Sequence, residues 1–232
     1  MASDLGTEIV VALREPEADD ASVALAEELA LALAVPSRLL HVEAAPGDVA
    51  TAIAEGLAPQ SILVIHSEHA NRWSGKWSIA EHVIDQWGGI TIAIGPRYQS
   101  SLQAGPVMTA LDGSSESFRA AEPAQMMAEI LNRPIEYCTV VPSADEHKAD
   151  SADRPSLIAP RFVYGNDPVS VLLSEAERNA SALIVLAARG DRSSVRSTIS
   201  RTCSGIIAGA TQPVMIVGSK HGQTGTLDAD PV

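Results

Sequence analysis

The sequence from Leu183 to Val217 reads LIVLAARG, DRSSVRSTIS and RTCSGIIAGATQPVMIV, and this stretch decides the fold class. An apolar run ends in a glycine, a linker rich in serine and arginine follows, and a helical pattern then leads into a second apolar run. This order is typical of open α/β sheets, which hold phosphates where a strand gives way to a helix. The stretch therefore predicts an α/β fold and the place of a ligand site.

The chain is a repeat of itself, because four segments of its first half match four of its second half in the same order. The matched pairs are EIVVAL at 8–13 with PVMTAL at 106–111, PSRLLHV at 36–42 with PIEYCTV at 134–140, ILVI at 62–65 with LIVL at 183–186, and IAIG at 92–95 with MIVG at 215–218. The number of residues between the matched segments is the same for the first two pairs and larger for the last two. The second half therefore has an insertion across 142–164, or the first half has a deletion. Segment 159–164, APRFVY, is a candidate extra strand that the first half lacks.

Short β-branched runs alternate with longer amphipathic ones in both halves, which indicates βαβ units and a parallel sheet. Residues 20–33 and 115–131 are predicted to form the first helix of each half. Asp167 and Pro168 are predicted to open a later helix that runs through Ala180. We expect two domains, at 1–97 and 105–220, connected through a linker at 97–105 and followed by a disordered tail at 221–232.

Composition and charge restrict the function. The chain has 232 residues and a formal net charge of −13, so its field repels polyanions, and binding to nucleic acid or to an anionic membrane is not expected. No signal peptide and no membrane span are evident in the sequence. Cys138 and Cys203 are unclustered, which fits reduced and buried thiols. We therefore expect a cytoplasmic protein.

Four motifs of the second half resemble the universal stress protein family, in its tandem two-domain form. They are ALDGS at 110–114, GNDP at 165–168, LIVLAARG at 183–190 and QPVMIV at 212–217. The resemblance implies two flavodoxin-like (adenine nucleotide alpha hydrolase-like) domains, with a five-stranded parallel sheet of order 3-2-1-4-5 in the second domain and a reduced first domain. It also implies a ligand site at the carboxyl ends of strands 1 and 4, where the strand order reverses.

Many members of this family bind ATP through a G-x2-G-x9-G-[ST] motif, whose glycines let backbone N–H groups approach the phosphates. The motif falls on Ala187, Gly190, Ser200 and Arg201, so its spacing is kept while one of its three glycines remains. The resemblance adds Asp112, at the end of strand 1, and Val140, whose backbone faces the adenine. The implied nucleotide-binding residues are therefore Asp112, Val140, Ala187, Gly190, Ser200 and Arg201.

Bulky side chains occupy the equivalent positions of the first half, where we expect no ATP site of the family type. These positions are His66, His69, Trp77 and Ser78, with Arg14 in place of the aspartate. Three histidines, His41, His66 and His69, could suggest a zinc site. However, histidine is common in the family at the position of His41, and the other two fall on a predicted loop. We therefore expect no metal.

Two interpretations stay open for the charged residues of the second half. The arginines at 189, 192, 196 and 201 either form a cradle for nucleotide phosphates or pair with the protein's own carboxylates in a solvated loop. Asp112 is either a general base or an acceptor for the turn at 113–115. Ser114 and Ser115 are expected to cap the following helix rather than to act as nucleophiles. No complete catalytic set is evident, so we expect no catalytic residues.

We expect a stress-response regulator, not an enzyme, that binds ATP or another adenine nucleotide weakly in its second domain. The first alternative is a nucleotide-free scaffold or adaptor that works through dimerisation, with an unidentified protein partner. The second alternative is a slow ATPase. The final strand, Val214–Val217, is an edge through which family members commonly pair, so the two halves of this chain could pair through it, and a homodimer is left open.

Overall fold

The computed structural model describes residues 5–13, 20–43, 48–67, 79–99, 101–142, 159–188 and 201–219. In chain order, the elements of the first half are β1 (Glu8–Leu13), α1 (Asp20–Leu33), β2 (Ser37–His41), α2 (Val49–Glu55), β3 (Ser61–His66), α3 (Ile79–Trp87) and β4 (Ile90–Ile94). Those of the second half are β5 (Val107–Ala110), α4 (Ser115–Phe118), α5 (Ala121–Ile130), β6 (Ile135–Val141), β7 (Arg161–Tyr164), α6 (Pro168–Arg178), β8 (Leu183–Ala187), α7 (Arg201–Gly209) and β9 (Val214–Val217).

All nine of these strands belong to one sheet, in the order β2-β1-β3-β4-β9-β8-β5-β6-β7. Neighbouring strands are parallel within each half, whereas β4 and β9 are antiparallel, with Ile92 opposite Met215. The two halves therefore pair through the final strand and form one mostly parallel α/β sheet. Since β9 lies between β4 and β8, the edges of the described sheet are β2 and β7.

Apolar side chains cover both faces of the sheet. One buried cluster contains side chains of α1 and α5, and the other contains side chains of α2, α3, α6 and α7. Each cluster includes strand residues from both halves of the chain. Burial on both faces explains why the strands read as continuous apolar runs rather than as alternating ones. None of the described helices is both long and apolar enough to cross a membrane.

The connection between β4 and β5, where the sequence predicts a linker, packs against the sheet. Tyr98 and Leu102 contact the cluster that contains α1 and α5. Arg97 Nη1 donates a hydrogen bond to the carbonyl of Gly209 at 3.3 Å. Burial, and after it the charge of Glu28, raises the pKa of Tyr98 to about 12. This connection is thus part of the core layer on the α1 side.

The predicted helix over 115–131 is wrong in one respect, because the structure divides it into α4 and α5. Pro123 stands in the first turn of α5 and has no N–H to donate to the carbonyl of Arg119, so the helical hydrogen bonds cannot continue through it. Ser114 caps α4 by accepting a hydrogen bond from Ser117 N at 3.1 Å. The expected capping role of this serine is confirmed.

Three helices end at a residue with a left-handed backbone, namely Ala34 (φ 55°), Asn132 (φ 51°) and Ala180 (φ 47°). After each of them, the next N–H donates to a carbonyl five positions earlier, as Val35 N does to Ala30 O at 3.1 Å. The left-handed residue cannot continue the helix. For this reason α6 ends at Arg178, two residues before its predicted end.

Replacing Ala34 by glycine is predicted to raise the free energy of unfolding by about 0.5–1 kcal/mol, because glycine adopts a positive φ without the steric cost that alanine incurs. The control is Ala24→Gly, at an exposed position inside α1, which is expected to lower the free energy of unfolding by about 1 kcal/mol. Urea unfolding measures both changes. A loss of stability in both variants would contradict the prediction.

Gly95 follows β4 at a point where the chain passes close to α7. A Cβ at this position would lie 1.9 Å from the carbonyl oxygen of Ile207, which is main chain and cannot rotate away. Gly95→Ala is therefore predicted to lower the free energy of unfolding by about 3 kcal/mol, at the upper end of overpacking effects. At the control position Gly56, φ is −80° and a Cβ would meet first the movable end of Leu40, at 3.0 Å. A melting temperature of Gly95→Ala no lower than that of Gly56→Ala would overturn this account.

Candidate functional site

A cleft of about 260 Å³ opens at the carboxyl ends of β5, β6 and β8. Its walls come from the turn after β5, from β6, from the start of α6, from the end of β8 and from the first turn of α7. After β5 the chain passes to the face of the sheet that holds α5, whereas after β8 it passes to the face that holds α7. The cleft therefore lies where the connections leave in opposite directions, which is where open α/β sheets bind ligands.

Three of the six residues predicted to bind a nucleotide line this cleft, and they are Asp112, Val140 and Ala187. Arg201 is the first residue of α7, is exposed, and directly precedes Thr202 of the cleft wall. The other two predicted residues, at 190 and 200, lie outside the described residues, as do the arginines at 189, 192 and 196. The structure thus brings three predicted residues together at one cleft and places the fourth next to it in sequence.

Asp112 stabilises the turn that follows β5. Its Oδ1 accepts hydrogen bonds from Ser114 N at 3.0 Å and from Ser114 Oγ at 2.5 Å. Gly113, between them, has a φ of 82°, a conformation that glycine adopts without strain. The interpretation of Asp112 as an acceptor for this turn is confirmed, and the turn holds its carboxylate at the cleft.

The α4 side of the cleft is acidic. Glu116, in the first turn of α4, lines the cleft together with Asp112. Its own backbone N–H and then the hydroxyl of Ser115 lower the pKa of Glu116, although the nearby Asp112 carboxylate acts in the opposite direction. Glu116 is therefore ionised near neutral pH. The exposed Arg201 stands at the start of α7, directly before Thr202 of the cleft wall, so a positive side chain lies next to the cleft in sequence.

Two cysteines that were not among the predicted site residues, Cys138 and Cys203, also lie in the cleft wall, and both are buried. Cys138 precedes Val140 by two positions in β6, so the period of a strand places both on one face, and this spacing could have identified Cys138 from the sequence. Burial raises the pKa of the Cys138 thiol, although the charge of Arg161 lowers it. Cys138 is therefore a neutral thiol at neutral pH rather than a nucleophilic thiolate.

A network of charges holds the wall that β6, β7 and α6 build. Arg161 Nε donates to Glu136 at 2.6 Å, and Arg161 Nη2 donates to Glu175. Asn179 Nδ2 donates to the other carboxylate oxygen of Glu136 at 2.8 Å. Burial acts to raise the pKa of Glu175, but hydrogen bonds from Arg161 and Arg178 outweigh it and hold this pKa below its ordinary value. Through Arg161, the network connects the edge strand β7 to strand β6 and to helix α6.

Glu175→Gln is predicted to lower the free energy of unfolding by about 1–2 kcal/mol near pH 7, since it removes charge-assisted hydrogen bonds from two arginines. The folded-state pKa lies below the ordinary value of 4.5, so this stabilisation is fully present above that pH and is lost as the pH falls through the folded-state pKa. Urea unfolding between about pH 7 and pH 3 measures it. Glu122→Gln, an exposed carboxylate on α5, is the control. A difference from wild type that does not shrink in acid would contradict the prediction.

The equivalent place in the first half, at the ends of β1 and β3, is described only in part. Leu13 and His66 are the last residues of these strands, and the other positions equivalent to the nucleotide site, at 14, 69, 77 and 78, lie outside the described residues. Within the described part of the chain, no group of three or more His, Cys, Asp or Glu side chains is arranged to hold a metal ion. The absence of an ATP site in this half stays a prediction.

The fold resembles solved structures of universal stress proteins. A universal stress protein from Archaeoglobus fulgidus superposes with a TM-score of 0.59 at 17% identity, over 93% of this chain and 90% of that chain. A putative universal stress protein from Pseudomonas aeruginosa UCBPP-PA14 superposes with a TM-score of 0.62 at 12% identity, over 94% and 95% of the two chains. A functionally unknown protein from Pseudomonas aeruginosa PAO1 gives a TM-score of 0.57 at 11% identity, over 93% and 94%. No protein-family model and no curated protein matches the sequence.

Proposed function

With the universal stress protein fold as the premise, we propose that this chain is a member of that family in its tandem form, and that it regulates a stress response by binding an adenine nucleotide weakly in its second half. The observation that supports this proposal most directly is the meeting of Asp112, Val140 and Ala187 at one cleft. These residues are far apart in the sequence. The family resemblance assigns all three to the nucleotide, Ala187 through the glycine motif and the other two by their places after β5 and in β6, and the cleft lies at the reversal of strand order.

The charges of the cleft give the bound nucleotide an orientation. A phosphate beside Asp112 and Glu116 would be repelled, so these carboxylates suit the ribose, whose hydroxyls donate hydrogen bonds to them. The apolar wall that contains Val140 and Leu172 suits the adenine ring. The phosphates then extend towards the first turn of α7, where backbone N–H groups and Arg201 favour anions.

The size of the cleft favours binding through the adenosine part. Its volume of about 260 Å³ lies below the range of roughly 300–1,000 Å³ that is usual for small-molecule sites. Two of the three motif glycines are replaced, by Ala187 and by the serine at 200. Side chains at these positions keep backbone N–H groups further from the phosphates. We therefore expect an affinity weaker than that of a complete glycine motif, and no appreciable hydrolysis.

The strand order limits the surfaces through which the alternative, a nucleotide-free scaffold, could dimerise. Strand β9 pairs with β4 on one side and with β8 on the other, so a second copy cannot pair through it. A scaffold that dimerises must therefore use another surface. The slow ATPase would need the same bound nucleotide, so a single titration separates the proposals.

Calorimetric titration of the full chain with ATP is predicted to show one site, and Asp112→Asn is predicted to weaken binding by about tenfold, which corresponds to the loss of one charge-assisted hydrogen bond. The asparagine still offers Oδ1 to Ser114, so the turn after β5 is kept. Glu122→Gln, on α5, removes the same charge from an exposed position outside the cleft and is expected to leave binding unchanged.

Three other outcomes of this titration would contradict the proposal, each in a different part. No heat of binding at millimolar ATP would refute the nucleotide site and favour the scaffold. Equal binding in wild type and Asp112→Asn would refute the assigned orientation of the ribose. Release of inorganic phosphate from bound ATP, above the rate of Asp112→Asn, would favour the slow ATPase.

A further inference from the structure

Within the described part of the chain, strand β2 has no neighbour on its outer side, where its counterpart in the second half has one. The sequence repeat aligns β2 with β6, because 36–42 matches 134–140. On its outer side β6 pairs with β7, with Val140 opposite Val163. Among the described strands, β2 pairs with β1 alone. The first half thus presents a sheet edge at the place that β7 covers in the second half.

The main chain of β2 directs a symmetrical set of groups towards this open side. Pro36 O accepts from Ile9 N at 2.9 Å, and Val42 N donates to Leu13 O at 3.2 Å, so the even-numbered residues of β2 face β1. Since N–H and C=O groups alternate in direction along a strand, those of Ser37, Leu39 and His41 face outward. In β6 the odd-numbered residues likewise face away from the first strand of their half, because Val141 O accepts a hydrogen bond from Gly165 N, the residue that follows β7. The outward set is centred on Leu39.

The side chains of β2 do not protect this edge. Leu39, at its centre, is 48% exposed, whereas the equivalent Tyr137 of β6 is partly buried. The charged group of β2 is turned inward, because the Arg38 guanidinium donates to Glu8 at 2.9 Å and to Gly56 O at 2.7 Å. Natural edge strands usually carry an outward charge, a proline or a bulge that prevents pairing with another chain. The strand Ser37–His41 has none of these on its outer side.

We infer that β2 pairs with β2 of a second copy of this chain, antiparallel and around a two-fold axis at Leu39. In this register the two Leu39 residues face each other, and Ser37 faces His41 of the second copy. All the outward N–H and C=O groups of the strand are then paired, because each residue of the set meets another member of the set. The exposed leucine of each copy is covered by the other. The product is one sheet that continues through both chains.

Two features favour a second copy over another strand as the occupant. An antiparallel β2–β2 contact is self-complementary and closes as a dimer, whereas pairing of β2 with β7 of another copy would be head-to-tail and open-ended. The chain also joins its own halves in this way, since β4 and β9 pair antiparallel with Ile92 opposite Met215. The dimer contact would repeat an arrangement that already exists inside the chain.

Charge sets the conditions under which this dimer forms. Each chain carries a net charge of −13, so two copies repel one another at long range. The sequence SRLLH of β2 contains no carboxylate, so the contact itself is free of like negative charges. Salt screens the long-range repulsion, and the dissociation constant of the dimer is therefore predicted to fall as the salt concentration rises.

Sedimentation velocity of the full chain over a range of concentrations tests the inference. Wild type is expected to show a monomer–dimer equilibrium, and Leu39→Lys is expected to raise the dissociation constant by about tenfold or more, because it places two like charges directly opposite each other. The control is Tyr164→Lys, which puts the same charge at a 53% exposed position on the other edge strand, β7. This control is expected to keep the dimer. Circular dichroism and the melting temperature report whether both variants fold.

The outcomes are distinguishable. A wild-type monomer at all concentrations and salt levels, or a dimer that Leu39→Lys leaves intact, would overturn the inference. Loss of association in Tyr164→Lys would also overturn it, since it would show that β7 takes part. A short bismaleimide cross-linker provides a readout without added charge. It is expected to link two chains of Leu39→Cys and not two chains of Tyr164→Cys, while the native cysteines, which are buried, leave wild type unlinked.

Discussion

The antiparallel pairing of β4 with β9 is the interaction on which the rest of this structure depends. It connects two parallel half-sheets whose apolar strands would otherwise each have an exposed edge. It also brings α3 and α7 together on one face, where Ser204 Oγ donates a hydrogen bond to Glu81. The segments that follow β9 and α3 come so close that position 218 must be glycine, because a Cβ on Gly218 would lie 2.3 Å from the main chain of Gly88. Both buried clusters consequently extend through the two halves.

The two halves of the paired sheet carry different candidate sites. The residues that line the cleft all belong to the second half, from Ala110 to Cys203, so the join closes the sheet without filling the cleft. The network around Arg161 supports β7 and α6 beside it. The first half provides the strands β1 to β4, and β2 is its edge strand in the sheet as described. One half thus builds the proposed ligand site, and the other the proposed contact with a second copy.

Much of this arrangement can be predicted from the sequence, because strands that are buried on both faces appear as short apolar runs between amphipathic ones. Asp112, Val140 and Ala187 stand at or near the ends of such runs, but it was the family resemblance that assigned them to a ligand site. The helix over 115–131 shows where periodicity misleads, since its apolar side is regular while Pro123 interrupts the backbone hydrogen bonds. Cys203 shows a second limit, because nothing in its sequence neighbourhood indicates that α7 places its thiol in the cleft wall, 3.9 Å from the carbonyl of Ala187 at the end of β8.

The sequence by itself determined the α/β class, the repeat and the residues that end the strands, since these depend on local patterns of apolar side chains and on turn chemistry. The tertiary structure alone decided that the two half-sheets form one sheet whose described edges are β2 and β7, and that Cys203 shares a wall with Asp112. The physical reason is that strand neighbours are chosen by main-chain hydrogen bonds. Every residue except proline offers the same N–H and C=O groups, so side-chain patterns carry little information about the partner.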